Sequence, residues 1–108
     1  MAKKPPSLTA VPTLVAERLQ SWGSCVRKQR IAQRIRASDL CARLDISRPT
    51  LLRIERGEAS VNAGAYLAAL HVLGVLEYAV PSLRTDLWQM ASPTGRARPD
   101  AEDDDDYF

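Results

Sequence analysis

Apolar residues recur at every third or fourth position along most of the chain, and this spacing predicts a series of amphipathic helices. The first helix is predicted to begin at Thr13 and to run to about Arg34. Its apolar positions are Leu14, Val15, Leu19, Trp22 and Val26. Gly23 interrupts the pattern, so the segment forms either one kinked helix or two short ones. The polar side of this segment is basic and carries Arg27, Lys28, Arg30 and Arg34.

A second, shorter helix is predicted from about Ala37 to Leu44. Its apolar stripe consists of Leu40, Cys41 and Leu44. Asp45 follows where the chain must turn, and aspartate tolerates the left-handed conformation better than most other residues. The second helix is therefore expected to end immediately before Asp45.

A third helix is predicted from Arg48 to Arg56. Ser47 is a strong N-cap candidate because its side-chain oxygen can accept from a backbone amide of the first turn. Pro49 lies in that turn, where the amides have no helical acceptor to lose. Gly57 is expected to end the helix, since glycine adopts the left-handed conformation at little cost. The buried stripe of this helix is Leu51 and Ile54.

The rest of the apolar pattern predicts two or three more helices. Asn62 caps a fourth helix, expected over residues 63–73 and closed by Gly74. Its buried positions are Tyr66, Leu67, Leu70 and Leu73. A short fifth helix is expected over residues 75–80, ended by Pro81, and Ser82 could cap a sixth. No segment reads as a strand, so the predicted fold class is all-α.

Residues at either end lack this pattern. Residues 1–12 contain three prolines and two lysines and are expected to form a flexible basic arm. Residues 92–108 have almost no aliphatic content and a block of acidic residues, which predicts a disordered tail. One helical domain is therefore expected over residues 13–91.

The length of the chain limits the number of domains that it can form. With 108 residues and 45% hydrophobic content, the chain is sufficient for one folded domain, which excludes an enzyme with a second substrate domain. No apolar run approaches the ~18 residues that a membrane span requires. The first residues lack an apolar stretch, so no secretory signal is expected.

The net charge of +2 hides a strong asymmetry along the chain. Residues 1–60 hold twelve lysines and arginines against five acidic residues, a net charge of +7. Residues 61–108 hold three arginines against eight acidic residues, a net charge of −5. The basic half therefore suggests a polyanionic partner. A solvated basic face without a partner explains the charge equally well.

The most informative segment is residues 35–57, where two short helices are joined by a three-residue turn. This is the helix-turn-helix arrangement, in which the second helix enters the major groove of DNA. The predicted shared core is Leu40, Leu44, Ile46, Leu51 and Ile54. The predicted outward residues of the third helix are Arg48, Pro49, Leu52, Arg53 and Arg56.

The segment resembles the lambda-repressor-like (Cro/cI, also called XRE) DNA-binding family. The resemblance rests on Asp-Ile-Ser-Arg-Pro-Thr-Leu at 45–51, Ile-Glu-Arg-Gly at 54–57 and Leu-Gly-Val at 73–75, and it extends over about residues 22–80. It implies a five-helix DNA-binding domain, usually dimeric, that reads the half-sites of a pseudo-palindromic operator.

The resemblance also implies roles for individual residues. Contacts to base edges would come from Arg48, Pro49 and Arg53. Phosphate or supporting contacts would come from Arg36, Ala37, Ser47, Thr50, Leu52 and Arg56. Each arginine could equally contact a phosphate and carry no sequence information. This chain departs from the family where Arg36 and Ala37 replace the usual Ser or Thr followed by Gln, so the usual helix cap is absent.

Within the family, residues 54–74 are similar to HipB-like antitoxins. That similarity implies a repressor of its own operon that also binds a HipA-like kinase toxin. Two alternatives remain open. The first is a phage or mobile-element regulator without a toxin, and the second is a protein-binding module that no longer binds DNA.

The segment from residue 75 to 91 has more apolar side chains than five small helices need, which suggests a homodimer interface. The candidate interface residues are Leu76, Val80, Leu83, Leu87 and Trp88. Alternatively, the segment folds back on the first helix against Leu14, Leu19 and Trp22.

The acidic tail, with Asp103 to Asp106 followed by Tyr107 and Phe108, allows three interpretations. It could only keep the chain soluble, it could fold back on the basic face and compete with DNA, or its aromatic end could dock into a toxin.

No residue pattern predicts catalysis, a cofactor or a metal site. Cys25 and Cys41 are sixteen positions apart and match no zinc-ligand spacing, so both are expected to be buried free thiols in a reduced cytoplasm. The single histidine, His71, lies in an apolar helical stretch without an evident nucleophile or metal partner.

Overall fold

The structure is a computed structural model that describes residues 11–89. It contains five α-helices, which are α1 (Thr13–Ala32), α2 (Ala37–Leu44), α3 (Arg48–Arg56), α4 (Ala63–Val72) and α5 (Leu76–Ala79). A 3-10 helix follows at Thr85–Leu87. Within the described residues there is no strand, and the all-α prediction is confirmed. The predicted acidic tail, and all but the last two residues of the predicted arm, lie outside this range.

Helix α1 is a single helix that passes through Gly23 without a break. It ends at Ala32, two residues before the predicted end at Arg34. Gly23 is buried, and its role is to allow close approach rather than to interrupt the helix. A Cβ atom at this position would lie 2.8 Å from the Gly57 nitrogen and 2.9 Å from the Glu55 carbonyl oxygen, both on the backbone.

Gly57 makes the same approach possible from the other side. A Cβ atom there would lie 2.6 Å from the Gln20 Cα and 2.7 Å from the Leu19 carbonyl oxygen. Gly57 also has a φ of 75°, which a residue with a side chain adopts only at a cost. The backbones of α1 and α3 therefore cross in direct contact, with one glycine on each side.

All four of the longer helices end in the same way, with a residue in the left-handed conformation. These residues are Arg34, Asp45, Gly57 and Gly74, with φ between 57° and 80°. In each case the next residue donates its N–H to the carbonyl five positions earlier, at 2.9–3.0 Å, which is the hydrogen bond of the Schellman motif. The predicted stops at Asp45, Gly57 and Gly74 are confirmed, and the stop at Arg34 was not predicted.

The core lies among α1, α2, α3 and α4. Its buried residues are Val26, Leu40, Cys41, Leu51, Ile54, Tyr66, Ala69, Leu70 and Leu73. Leu44, Ile46 and Cys25 are only partly buried and pack against this group. Cys41 is therefore the buried free thiol that was predicted, whereas Cys25 is partly accessible. Leu67, predicted to be buried, is also only partly covered.

Two polar contacts tie the core to its edges. The buried Tyr66 donates its hydroxyl to the Glu58 carbonyl oxygen at 2.7 Å, and its ring lies 5.8 Å from that of Trp22. Burial, with a smaller contribution from the Glu58 charge, raises the pKa of Tyr66 to about 12, so the hydroxyl remains a donor at neutral pH. The Gln33 amide donates to the Leu73 carbonyl oxygen at 2.8 Å and joins the ends of α1 and α4.

The C-terminal segment differs from its prediction. Helix α5 is shorter than expected, and the sixth helix is a single 3-10 turn. Leu83, Leu87 and Trp88 are each at least 59% exposed, so within residues 11–89 no packing stabilises a longer helix there. Leu14 is 65% exposed, which shows that the described part of this segment does not cover the start of α1.

None of the helices in the described range is both long and apolar enough to cross a membrane.

Substitution Gly23→Ala is expected to lower the free energy of unfolding by about 2–3 kcal/mol, because the added methyl group meets backbone atoms that cannot move aside. Urea denaturation followed by circular dichroism measures this change. Gly64→Ala is the matched control, since its Cβ would meet only the Asn62 side chain at 3.3 Å. Equal stability of the two variants would contradict a tight crossing at Gly23.

Candidate nucleic-acid interface

The turn between α2 and α3 is built from residues 45–47. Asp45 adopts the left-handed conformation with φ 57°, which reverses the chain after α2. Ser47 then caps α3, because its Oγ accepts the backbone N–H of Thr50 at 3.2 Å. Pro49 occupies the first turn of α3, as predicted. These features fix the direction in which α3 leaves the turn.

Helix α3 has one buried and one exposed face. Leu51 and Ile54 are 2% and 0% exposed and hold the helix against the core. The five residues predicted to point outward are all exposed, namely Arg48, Pro49, Leu52, Arg53 and Arg56. The arrangement therefore presents a basic helical surface to solvent, which is the geometry that insertion into a DNA groove requires.

The arginines of this surface differ in their surroundings. Among residues 11–89, Arg48 and Arg53 have no acidic partner within ion-pair distance. Arg56 lies 3.6 Å from Glu58, in a pair whose side chains are 61% and 37% exposed and which therefore contributes little to stability. Arg48 and Arg53 are consequently available for an anion from outside the described domain.

Arg30 does not belong to the predicted basic face of α1. Its Nε donates to Glu55 Oε2 at 2.8 Å, and its Nη1 donates to the Ile35 carbonyl oxygen at 3.3 Å. The two paired side chains are only 15% and 9% exposed. Arg30 therefore joins α1 to α3 and to the segment before α2. The position of Glu55 four residues after Leu51, on the inward side of α3, is the sequence signal that could have indicated this pair.

The start of α2 lies beside the start of α3. Arg36 occupies the N-cap position of α2 without a side-chain capping bond, so the predicted loss of the usual cap is confirmed. Arg36 is exposed, whereas Ala37 is half-buried. The small Ala37 side chain leaves space next to Arg48 and Pro49.

That space is an open cavity of about 430 Å³, which we call the α2–α3 pocket. It is lined by Arg30, Ala37, Arg48, Pro49, Leu51, Leu52 and Glu55. Exposed Arg48 lines the pocket together with four apolar side chains, while Arg30 and Glu55 neutralise each other. Such a pocket can take an apolar group that is attached to an anion.

A second groove lies between α3 and α4 and has a volume of about 510 Å³. It is lined by Ile46, Thr50, Arg53, Ser60, Val61, Asn62 and Ala65. The position of Ser60 and Asn62 beside Arg53 was not predicted. Asn62 was recognised only as a helix cap, and its Oδ1 accepts the Ala65 N–H at 2.8 Å.

The described residues contain no group of three or more side chains that could hold a metal ion. His71 is exposed at the last turn of α4 and does not lie on a buried stripe.

Comparison with known families identifies a helix-turn-helix domain. The model of a helix-turn-helix domain matches residues 23–83, which is more than half of the chain. The matched region begins at the α1–α3 crossing and includes both helices of the motif. No curated protein and no solved structure gives a significant match to the chain.

Substitution Glu55→Ala is expected to lower the free energy of unfolding by about 2–3 kcal/mol, because it removes the counter-charge of an Arg30 side chain that is only 15% exposed. Chemical denaturation measures the loss. Asp86→Ala is the control, since the Arg84–Asp86 pair has the same 2.8 Å separation but is 75% and 64% exposed. The control should change stability by less than about 0.5 kcal/mol. A loss at position 55 no larger than at position 86 would show that the pair does not hold α3.

Proposed function

The chain belongs to the helix-turn-helix domain family, and from this premise we propose that it is a sequence-specific repressor that binds a double-stranded DNA operator. The observation that carries the proposal is the exposure of Arg48 and Arg53 on α3, without acidic partners among residues 11–89. An α-helix fits the major groove of B-form DNA, which is about 12 Å wide. A role on DNA agrees with the predicted cytoplasmic location.

The proposal assigns base recognition to Arg48, Pro49 and Arg53. Arginine can donate two hydrogen bonds to O6 and N7 of one guanine, which is the commonest specific contact to a base. Arg48 lies in the first turn of α3 and Arg53 more than one turn later, so they would read different base pairs. Leu52, one of the supporting residues, is 48% exposed between them, so its side chain is accessible to a thymine methyl group.

Phosphate or supporting contacts are assigned to Arg36, Ala37, Ser47, Thr50, Leu52 and Arg56. Arg36 is exposed at the start of α2 and is not occupied as a helix cap, so its guanidinium can reach a phosphate. A contact through charge alone releases counterions from DNA and makes affinity depend on salt. Ser47 Oγ already accepts the Thr50 N–H and shares a 3.0 Å hydrogen bond with the Thr50 hydroxyl, so the two hydroxyl groups together keep one hydrogen to donate to DNA.

Selection from random duplexes, followed by affinity measurements at several salt concentrations, tests the proposal. Arg48→Ala and Arg53→Ala should each weaken binding to the selected site about 10- to 100-fold and relax preference at one position, as expected for lost base contacts. Arg36→Ala should weaken binding to all duplexes alike and reduce the salt slope by about one. Arg84→Ala is the control, because Arg84 lies outside the motif and pairs with Asp86.

A uniform loss for Arg48→Ala and Arg53→Ala would show that both contact phosphates. If no duplex is enriched and no duplex binds at moderate salt, the repressor proposal is wrong and the protein-binding alternative takes its place.

We further propose that the repressor acts as a homodimer through the surface formed by Leu83, Leu87 and Trp88. These side chains are 64%, 64% and 59% exposed, and large apolar groups rarely remain together in solvent without a partner. Leu76 and Val80 pack partly against the core and would form only the edge of the interface. Two recognition helices related by a two-fold axis would meet half-sites about 34 Å apart.

Sedimentation equilibrium of Leu87→Glu tests the interface. The substitution should convert the dimer to a monomer and reduce affinity for a two-half-site duplex, because it places a charge in an apolar contact. Leu14→Glu is the control, since Leu14 is equally exposed at 65% but lies at the start of α1. If only Leu14→Glu dissociates the dimer, the interface lies at α1 and not at Leu87. If the unsubstituted chain is a monomer, there is no dimer.

The finer role that we propose is that of a HipB-like antitoxin, supported by the similarity of residues 54–74. Co-expression with a HipA-like kinase from a neighbouring gene would then yield a stable complex and relieve the toxicity of the kinase. Absence of such a neighbouring gene would favour a free-standing phage or mobile-element regulator.

A further inference from the structure

The exposed surface of α3 combines two kinds of recognition. Arg48 and Arg53 offer guanidinium groups that no acidic residue in the range 11–89 pairs with. The α2–α3 pocket beside Arg48 offers apolar walls from Ala37, Pro49 and Leu52. The complementary ligand is a peptide segment in which carboxylates stand next to an aromatic side chain.

The chain itself contains a segment of this composition. Residues 102–106 are five consecutive acidic residues, and Tyr107 and Phe108 follow directly. A second copy of the α3 surface is a poor occupant of the same site, because it would bring arginines against arginines.

We propose that residues 102–108 bind the α3 surface of their own chain and thereby compete with DNA. Tyr107 or Phe108 occupies the α2–α3 pocket, and the preceding carboxylates accept hydrogen bonds from Arg48 and Arg53. The proposed peptide contact is inferred only from the α2–α3 pocket and from the charges of Arg48 and Arg53. Only its effect on DNA rests on the proposed function.

The connecting chain is long enough for this contact. Asp103 follows Gln89, the last described residue, by fourteen positions, and at ~3.5 Å per position the chain between them reaches at most ~50 Å. A domain of about 80 residues has a radius of gyration near 12 Å and is therefore about 30 Å across. A site within about 30 Å of Gln89 therefore lies inside this reach.

Tethering makes a weak contact effective. A segment attached by a short linker has an effective concentration of the order of 1 mM at its site. If the free segment binds with a dissociation constant of about 0.1 mM, the α3 surface is occupied about tenfold more often than it is open. DNA affinity at low salt is then reduced by about tenfold, and the reduction declines as salt screens the carboxylates.

The experiment compares full-length variants by duplex affinity and by amide NMR signals of Ala37 and Leu52. The variant Tyr107→Ala with Phe108→Ala keeps the net charge of the chain. It should shift those signals and bind a duplex about three- to tenfold more tightly at low salt. Conversion of Asp103 to Asp106 to asparagine should have the same effects, and more strongly. Tyr78→Ala is the control, because Tyr78 is 86% exposed on α5 and touches neither site.

The proposal is overturned if the aromatic variant leaves the Ala37 and Leu52 signals unchanged. In that case a gain in affinity in the asparagine variant alone reflects long-range repulsion of DNA by the acidic residues. Shifted signals in a chain that binds no duplex at all would leave the peptide contact in place and refute the proposed DNA binding. The two failures are therefore distinguishable.

Discussion

The contact between the backbones of α1 and α3 is the constraint on which the rest of the domain depends. Gly23 and Gly57 face each other there, and a methyl group on either one would overlap backbone atoms of the other helix. The contact holds the C-terminal end of α3. Arg48 lies at the other end, about 13 Å away for a nine-residue helix. A small rotation of α3 about the crossing would therefore displace Arg48 more than the residues next to the crossing.

The charges of α3 are divided between its two sides. Its one acidic residue, Glu55, points inward and pairs with Arg30, so the inner side is neutral and is held to α1. The outer side keeps Arg48 and Arg53 in solvent. One surface can then serve both a duplex and an acidic segment of the chain, because both present anions to the same guanidinium groups. The two proposals therefore describe competition for a single site.

Features encoded within a few consecutive residues were predictable. The bounds of α2 and α3, the caps at Ser47 and Asn62, and the exposure of the α3 arginines agree with their predictions. Contacts between distant residues were not predictable from spacing, as with the tight crossing at Gly23. Spacing places Glu55 on the inward side of α3, but it does not identify Arg30 as its partner. Arg34 was missed because arginine has no preference for the left-handed conformation. The predicted sixth helix is only a 3-10 turn, because its apolar stripe has nothing to pack against in the described residues.

The helix endings bear on how the domain assembles. Each Schellman bond joins groups that are five residues apart, so each stop point is set by near neighbours in the sequence. The end of each helix can therefore be fixed before segments that are distant in the sequence come into contact. When α1 and α3 come into contact, Gly23 and Gly57 already occupy their final positions along the helix axes. The step that remains is the docking of the two helices. Topologies dominated by such short-range contacts have low contact order and fold within microseconds to milliseconds.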